Sequence, residues 1–175
     1  MLELILMRHA KTEPAAANAA DRRRSLTSRG RVDADLAGQR LRHDKRLPDL
    51  VLCSPATRAR QTLDVVVHAF QVSPKIEVID SLYGGRADYF DILAEFGGTA
   101  SRLMLIGHNP TIQATAQTAA ASGERALRAR LAEKFPTAAY AIIAFDARSW
   151  PEVDGTDGRL LAFLTPADLG GGASE

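Results

Sequence analysis

Two arginines and two histidines follow three short apolar runs of the sequence. They are Arg8 and His9 after "LELILM", Arg58 shortly after "DLVLCS", and His108 directly after "RLMLIG". A buried cation is costly unless an anion or a hydrogen-bonding group meets it. Because arginine side chains bind phosphate oxygens through two parallel hydrogen bonds, these residue types predict a site for a phosphoryl group.

The histidines add a chemical possibility to this predicted phosphate site. A neutral imidazole held in line with a bound phosphoryl group can act as a nucleophile. The two guanidinium charges disfavour a further cation nearby, so we expect them to keep one imidazole neutral at pH 7. The pattern therefore predicts covalent phosphoryl transfer through a histidine.

Two of the apolar runs are followed by a proline in a context typical of a helix start. Ser54 with Pro55, and Asn109 with Pro110, are predicted to be the N-cap and the first helical residue of two helices. The free N–H groups and the positive dipole end of a helix N-terminus favour anions. We expect both helix starts to face the same crevice as the four cationic or imidazole side chains.

Apolar periodicity predicts strands that alternate with helices. The predicted strands are 2–7, 49–54, 75–79 and 102–107, then a hairpin of "AAYAIIAFDA" and "RLLAFLTP"; the predicted helices are 29–43, about 56–70, 87–96 and about 110–121. This alternation predicts an α/β fold with a mixed or mainly parallel sheet covered by helices. Ligands bind such sheets at the carboxyl ends of the strands, where the candidate side chains lie.

Bulk properties narrow the class of protein. The 175 residues suit one domain, predicted over 1–166 with a flexible tail over 167–175. A net charge of +1 argues against nucleic acid as a partner. The single cysteine, Cys53, excludes an internal disulfide. We expect it to be a core residue of a protein in a reducing compartment.

No apolar run approaches the ~18 residues needed to cross a bilayer, and "MLELILM" lacks a basic start. We therefore expect a cytoplasmic protein without a membrane partner.

Four motifs in a fixed order resemble the histidine phosphatase superfamily, which shares its fold with the phosphoglycerate mutases. They are "LMRHA", "LTSRG", "LCSPATRARQT" and "LIGHNP". The short chain and the "MRHAK" variant are most similar to small phosphohistidine phosphatases of the SixA type. The resemblance implies a three-layer sandwich with a mixed, mainly parallel sheet flanked by helices. It also implies that His9 is a transiently phosphorylated nucleophile, that Arg8, Arg58 and His108 bind the phosphoryl group, and that no metal or other cofactor is needed.

The sequence departs from this family where many members carry a glutamate that protonates the leaving oxygen. The corresponding stretch "IDSLYGGRADYFDIL" offers Asp80, Asp88 and Asp91, none of them in a recognisable motif, and Glu13 or His108 are further candidates. An alkoxide needs that proton in the transition state. Imidazole, with an ordinary pKa of about 6.5, needs it less.

The missing acid therefore favours phosphohistidine in proteins as the substrate. One alternative is a small-molecule phosphomonoesterase on the same fold, with Asp80 or Asp88 as the acid. Another is a phosphate-binding module without turnover. The expected partner is accordingly a phosphorylated protein or a small phosphorylated molecule.

The sequence also supports predictions for several residues near these motifs. Thr27 is predicted to cap the first helix, and Gly30 to allow close packing there. Lys11 either touches the phosphate or lies on the surface. Ala10 replaces the glycine that is usual after the nucleophile, a small change. The polar loop 13–25 is long enough to be functional.

Overall fold

The computed structural model describes residues 1–17 and 20–171. Within these residues, seven strands form one sheet in the order β3-β2-β4-β1-β6-β7-β5. The strands are β1 (Leu2–Arg8), β2 (Leu50–Cys53), β3 (Lys75–Val78), β4 (Arg102–Gly107), β5 (Ala120–Gly123), β6 (Tyr140–Phe145) and β7 (Gly158–Leu164). The pairs β1–β4, β4–β2, β2–β3 and β5–β7 are parallel. Strand β6 is antiparallel to both of its neighbours, β1 and β7. The predicted mixed, mainly parallel sheet is confirmed.

Helices cover both faces of this sheet. They are α1 (Ser28–His43), α2 (Thr57–Phe70), α3 (Tyr89–Phe96), α4 (Thr111–Ala119) and α5 (Arg125–Glu133), with short 3-10 helices at Asp21–Arg23, Asp80–Leu82, Trp150–Glu152 and Pro166–Leu169. One apolar core lies between the sheet and α1 and α2, and a second lies between the sheet and α3, α4 and α5. The three-layer arrangement is therefore confirmed. None of the helices in the described part of the chain is long and apolar enough to cross a bilayer.

Strand β1 shows why a continuous apolar run predicts this fold. Its residues Leu4 and Leu6 pack into one core, and Ile5 and Met7 pack into the other. All four are fully buried. A strand covered by helices on both faces needs apolar residues at every position, which removes the alternation typical of a half-exposed strand.

The region between α4 and β6 differs from the sequence prediction. The helix predicted over about 110–121 ends at Ala119, where the chain enters the edge strand β5. Helix α5 follows, to which the sequence analysis assigns no element. This helix fully buries Leu131 alone, so its charged sequence carries little apolar periodicity.

The predicted tail begins with ordered structure. Pro166–Leu169 forms a 3-10 helix with a capping box between Thr165 and Asp168, and Arg130 binds the Asp168 carboxylate at 2.6 Å. Residues 172–175 lie outside the described residues. The division into a domain over 1–166 and a flexible tail stays a prediction.

The start of α1 fits closely against the chain that follows β1. The Thr27 side chain accepts a hydrogen bond from the Gly30 N–H at 2.9 Å, so the predicted cap is confirmed. A Cβ atom on Gly30 would lie 2.2 Å from the carbonyl oxygen of Lys11. The glycine therefore allows the close approach that the sequence analysis expects.

Replacing Gly30 with alanine should destabilise the domain by about 2 kcal/mol, although alanine is the better helix former, because a buried overlap with backbone forces α1 away from Lys11. Urea unfolding measures the change. Ser28→Ala, at an exposed position two residues earlier, is the matched control and should change stability little. An unchanged or higher stability of Gly30→Ala would contradict the packing seen here.

Candidate active site

The carboxyl ends of three adjacent parallel strands, β2, β4 and β1, form the floor of the candidate site. Arg8, the last residue of β1, pairs with Gly107, the last residue of β4. His9 and His108 therefore leave the sheet at the same level, and the His9 N–H donates to the Gly107 carbonyl at 3.1 Å. The two imidazole centroids lie 5.3 Å apart.

Arg58 enters the same space from the first turn of α2 and is only 8% exposed. All four predicted side chains line one cleft of about 520 Å³. Lys11 and Arg24 line it as well. The structure therefore brings together every residue that the sequence analysis placed in the site, and Lys11 lies at the cleft.

The predicted helix starts are wrong by a few residues. Helix α2 begins at Thr57 and α4 at Thr111, and neither has a side-chain N-cap. The Ser54 hydroxyl lies 2.7 Å from Nε2 of His108, and the Asn109 amide donates to the Phe135 carbonyl at 3.2 Å. The Ser54 hydroxyl also accepts from the Ala56 N–H at 3.3 Å, before α2 begins, and the buried Asn109 Oδ1 has no hydrogen-bond partner within the described residues, so neither side chain caps its helix.

The orientation of the His9 ring identifies the nitrogen that carries the lone pair. Its Nδ1 lies 2.8 Å from the carbonyl oxygen of Ala10. A carbonyl oxygen only accepts, so Nδ1 carries the proton. The lone pair of the neutral ring is therefore on Nε2, a point that the sequence alone could not decide.

Both imidazoles are held in the neutral form. The pKa of His9 is lowered to about 3: burial is the largest cause, nearby His108, Arg58 and Arg8 add to it, and the bond to Ala10 opposes it. Burial, followed by the Arg58 charge, lowers the pKa of His108 to about 4. The expectation of a neutral imidazole agrees with these values, but burial is the larger cause and the arginines are secondary.

Thr62 is a site contact that the sequence analysis missed. Its hydroxyl accepts from the Ala10 N–H at 2.9 Å and donates to the Arg58 carbonyl at 2.7 Å. One buried hydroxyl thus links Ala10, the residue after His9, to the helix turn that carries Arg58. The motif "LCSPATRARQT" ends at this threonine, but its role did not follow from the motif, because the link joins elements that are distant in sequence.

Hydrogen-bonding contacts hold both the backbone and the ring of His108 in place. The Tyr89 hydroxyl accepts from the His108 N–H at 3.2 Å, and Ser54 contacts Nε2. Gly107 makes room for this tyrosine, since a Cβ there would lie 2.4 Å from its hydroxyl. The ring therefore has a defined position before any ligand binds.

Arg8 is a partly buried cation whose hydrogen-bonding capacity is partly unused. Its Nη1 donates to the Phe135 carbonyl at 3.0 Å, whereas Nε is buried and has no hydrogen-bond partner within the described residues. Burial and the neighbouring Arg58 lower its pKa. Two adjacent guanidinium groups with spare donors form a site suited to an anion such as a phosphoryl group.

None of the carboxylates considered as proton donors lines the cleft. The Asp80 side chain is 92% exposed and lies 3.8 Å from Arg22. Asp88 caps α3 by accepting from the Phe90 N–H, and Glu13 and Asp91 are exposed. Across the described ranges no Asp or Glu lines the cleft.

One carboxylate that the sequence analysis did not consider does touch a site residue. Arg58 donates to Asp21 twice, to the backbone carbonyl at 2.8 Å and to Oδ2 at 3.1 Å. The Tyr83 hydroxyl donates to the same Oδ2 at 3.1 Å. Asp21 and Tyr83 therefore form the rim of the site beside Arg58.

Comparisons with known proteins agree with this geometry. The family model for the histidine phosphatase superfamily (branch 1) matches residues 4–82. Uncharacterised proteins of Mycobacterium tuberculosis and Mycobacterium leprae are 37% identical over 163 residues and 34% identical over 167 residues, and each match covers 91% of this chain and 99% of the relative.

Two solved structures are also similar. The proposed phosphohistidine phosphatase SixA of Agrobacterium tumefaciens is 31% identical with a TM-score of 0.77, covering 94% of this chain and 98% of its own. The corresponding SixA of Nakamurella multipartitia is 29% identical with a TM-score of 0.80, covering 93% and 95%. The motifs, the fold and these matches together show that the chain belongs to the histidine phosphatase superfamily and is a phosphohydrolase.

Proposed function

We propose that this phosphohydrolase works without a metal, through a phosphohistidine at His9, and removes phosphate from phosphohistidine in proteins. The choice of substrate rests on the residues that line the cleft. Within the described residues, they include cations and imidazoles but no carboxylate. A phosphoester would need a proton for its alkoxide. A phosphohistidine can release a neutral imidazole.

The residues suggest the following chemistry. Arg8 and Arg58 bind the phosphoryl oxygens, and His108 donates to them or polarises them. Nε2 of His9 attacks phosphorus while the P–N bond to the substrate imidazole breaks, and that imidazole, protonated on its other nitrogen by solvent, leaves neutral. Water then attacks phosphorus, the bond to Nε2 breaks, and inorganic phosphate leaves with His9 neutral again.

Short connections at the site support a large substrate. Residues 54–56 alone connect β2 to α2, and residues 108–110 alone connect β4 to α4. Neither connection has the length to fold over the cleft. A phosphorylated side chain on the surface of another protein can therefore reach His9 from this side. The similar structures from Agrobacterium tumefaciens and Nakamurella multipartitia, proposed as phosphohistidine phosphatases, support the same substrate class.

Phosphate release in EDTA tests the proposal, with a phosphotransfer domain phosphorylated on histidine and p-nitrophenyl phosphate as parallel substrates and His9→Ala as the blank. We expect fast release from the phosphohistidine protein and little from the aryl ester. Release from the ester alone would show that the substrate choice is wrong and that a carboxylate supplies a proton. Release from neither would favour a binding module, and loss of activity in EDTA would contradict the metal-independent step.

The lowered histidine pKa values predict an unusual pH profile. The nucleophile works only when neutral, so a pKa of about 3 for His9 and about 4 for His108 extends activity to lower pH than an ordinary histidine would. We expect no loss of kcat/KM when the pH is lowered from about 8 to 5, and a fall only below that range.

NMR titration of the imidazole protons provides the direct check, because it does not depend on the acid stability of the substrate. The signals of His9 and His108, assigned by their alanine variants, should not shift between pH 8 and 5. A midpoint near the ordinary value of about 6.5 for either ring would contradict the burial seen here.

A further inference from the structure

Two loops meet beside Arg58 at the rim of the cleft. The 3-10 helix Asp21–Arg23 lies in the loop after β1, and Tyr83 directly follows the 3-10 helix Asp80–Leu82 after β3. Asp21 receives two hydrogen bonds from Arg58, through its backbone carbonyl and its carboxylate. The Tyr83 ring also lies close to the guanidinium, with 6.0 Å between the Arg58 carbon and the ring centroid.

The hydrogen bonds of the Asp21 carboxylate indicate that it is an anion. Oδ2 accepts from Arg58 and from the Tyr83 hydroxyl, and Oδ1 accepts from Arg24 at 3.2 Å. Two of these three donors are arginines, which do not lose their proton in proteins, and hydrogen bonds from charged donors stabilise the carboxylate over the neutral acid. Partial burial would raise the pKa of this carboxyl, but the Arg58 charge and the three hydrogen bonds outweigh it and hold the pKa below its usual range.

Arg58 in turn is left with donors for a ligand. A guanidinium has five N–H groups, and two of those of Arg58 bond to Asp21. The side chain is 8% exposed and lines the same cleft as His9. A long arginine side chain that is already held loses less conformational freedom when it binds a phosphoryl group.

We propose that Asp21 is a positioning residue: it holds the Arg58 guanidinium ready for the phosphoryl group and stays ionised throughout the reaction instead of donating a proton to the leaving group. This inference rests on the proposed phosphatase function. It also explains why a carboxylate lies next to a phosphate site that lacks a proton donor.

The variants Asp21→Ala and Asp21→Asn separate the contact from the charge. Alanine removes the side-chain contact, and we expect kcat/KM for the phosphohistidine protein to fall about tenfold. Asparagine keeps an oxygen that accepts from Arg58, so its loss should be smaller. Because the role is positional, the factor should be the same at each pH between about 5 and 8.

A binding measurement tests the same role without turnover. In a His9→Ala background, Asp21→Ala should weaken the affinity for tungstate about tenfold by calorimetry. The NMR signal of the Arg58 Nε–H should broaden or move in Asp21→Ala, which reports the loss of a fixed position. These two readouts remain informative even if the protein hydrolyses no substrate that is offered, so failure of the proposed function and failure of this inference are distinguishable.

Asp80→Ala is the matched control. It removes an exposed carboxylate from the same rim with the same change in charge, and its ion pair with Arg22 is long at 3.8 Å. We expect kcat/KM and tungstate affinity to stay within about twofold of the wild type. Thermal unfolding of all variants checks that the fold is intact, and half-exposed Asp21 should affect it little.

Three results would overturn the inference. Unchanged kcat/KM and tungstate affinity in Asp21→Ala would show that Arg58 binds the phosphoryl group equally well without Asp21. A rise in both would show that the carboxylate only repels the substrate. A fall in kcat for Asp21→Ala and Asp21→Asn together, with tungstate affinity intact and a factor that changes between about pH 5 and 8, would identify Asp21 as a proton donor.

Discussion

Replacing His9 with alanine is expected to lower kcat by at least about 10⁴-fold and to remove the covalent intermediate. Nε2 of His9 carries the lone pair that faces the cleft, because Nδ1 is committed to the Ala10 carbonyl. The other imidazole, His108, contacts Ser54 through Nε2. The remaining site therefore lacks a nucleophile in position.

Trapping of the phosphoenzyme measures this effect directly. Wild-type protein mixed with a ³²P-labelled phosphohistidine substrate and quenched in alkali should carry a label that acid removes, as expected of a P–N bond. His9→Ala should carry none, while it still binds tungstate through Arg8 and Arg58. His68→Ala, on the exposed face of α2, is the histidine control and should be labelled like the wild type. A label on His9→Ala would mean that another residue is the nucleophile.

The convergence of the four predicted residues followed from a general property of parallel sheets. Apolar runs over 2–7, 49–54 and 102–107 predicted three strands, and the carboxyl ends of neighbouring parallel strands lie at one edge. The register of β1 with β4 then places His9 beside His108. A few residues of sequence around each strand end carried enough information for this part of the site.

The rim of the site could not be predicted in the same way. Asp21 and Tyr83 are separated by 62 positions, and each lies in a loop whose path depends on the packing of the whole domain. Ser54 shows the same limit of local sequence patterns. Its sequence context is that of an N-cap, but in the fold its hydroxyl contacts Nε2 of His108. Local patterns identify strands and helix starts, whereas contacts between loops require the folded chain.

The same distinction separates residues that stabilise the fold from residues that serve the site. Arg102, at the start of β4, binds the Glu3 carboxylate and the Leu47 carbonyl. Arg8, at the end of β1, has a buried Nε without a partner within the described residues and lies close enough to Arg58 for the charges to repel. In the absence of a ligand, the Arg8 charge costs stability, which a bound phosphoryl group would restore.

Arg8→Met is therefore expected to change activity and stability in opposite directions. Loss of the guanidinium removes donors to the developing charge on phosphorus and should lower kcat/KM by about 10²–10³-fold. Methionine fills a similar volume without a buried charge, so the free energy of unfolding should rise by about 1 kcal/mol. The Phe135 carbonyl keeps a donor, because the Asn109 amide also bonds to it. Urea unfolding without phosphate in the buffer measures the change.

Arg102→Met makes the same substitution at the opposite end of the neighbouring strand. There it breaks an ion pair with Glu3, whose side chain is 15% exposed, and should lower the free energy of unfolding by about 1–3 kcal/mol while activity is retained. A loss of stability in Arg8→Met as large as that in Arg102→Met would contradict the assignment of Arg8 to the ligand. Opposite signs would show that the fold tolerates Arg8 because its partner is the anion that the cleft receives.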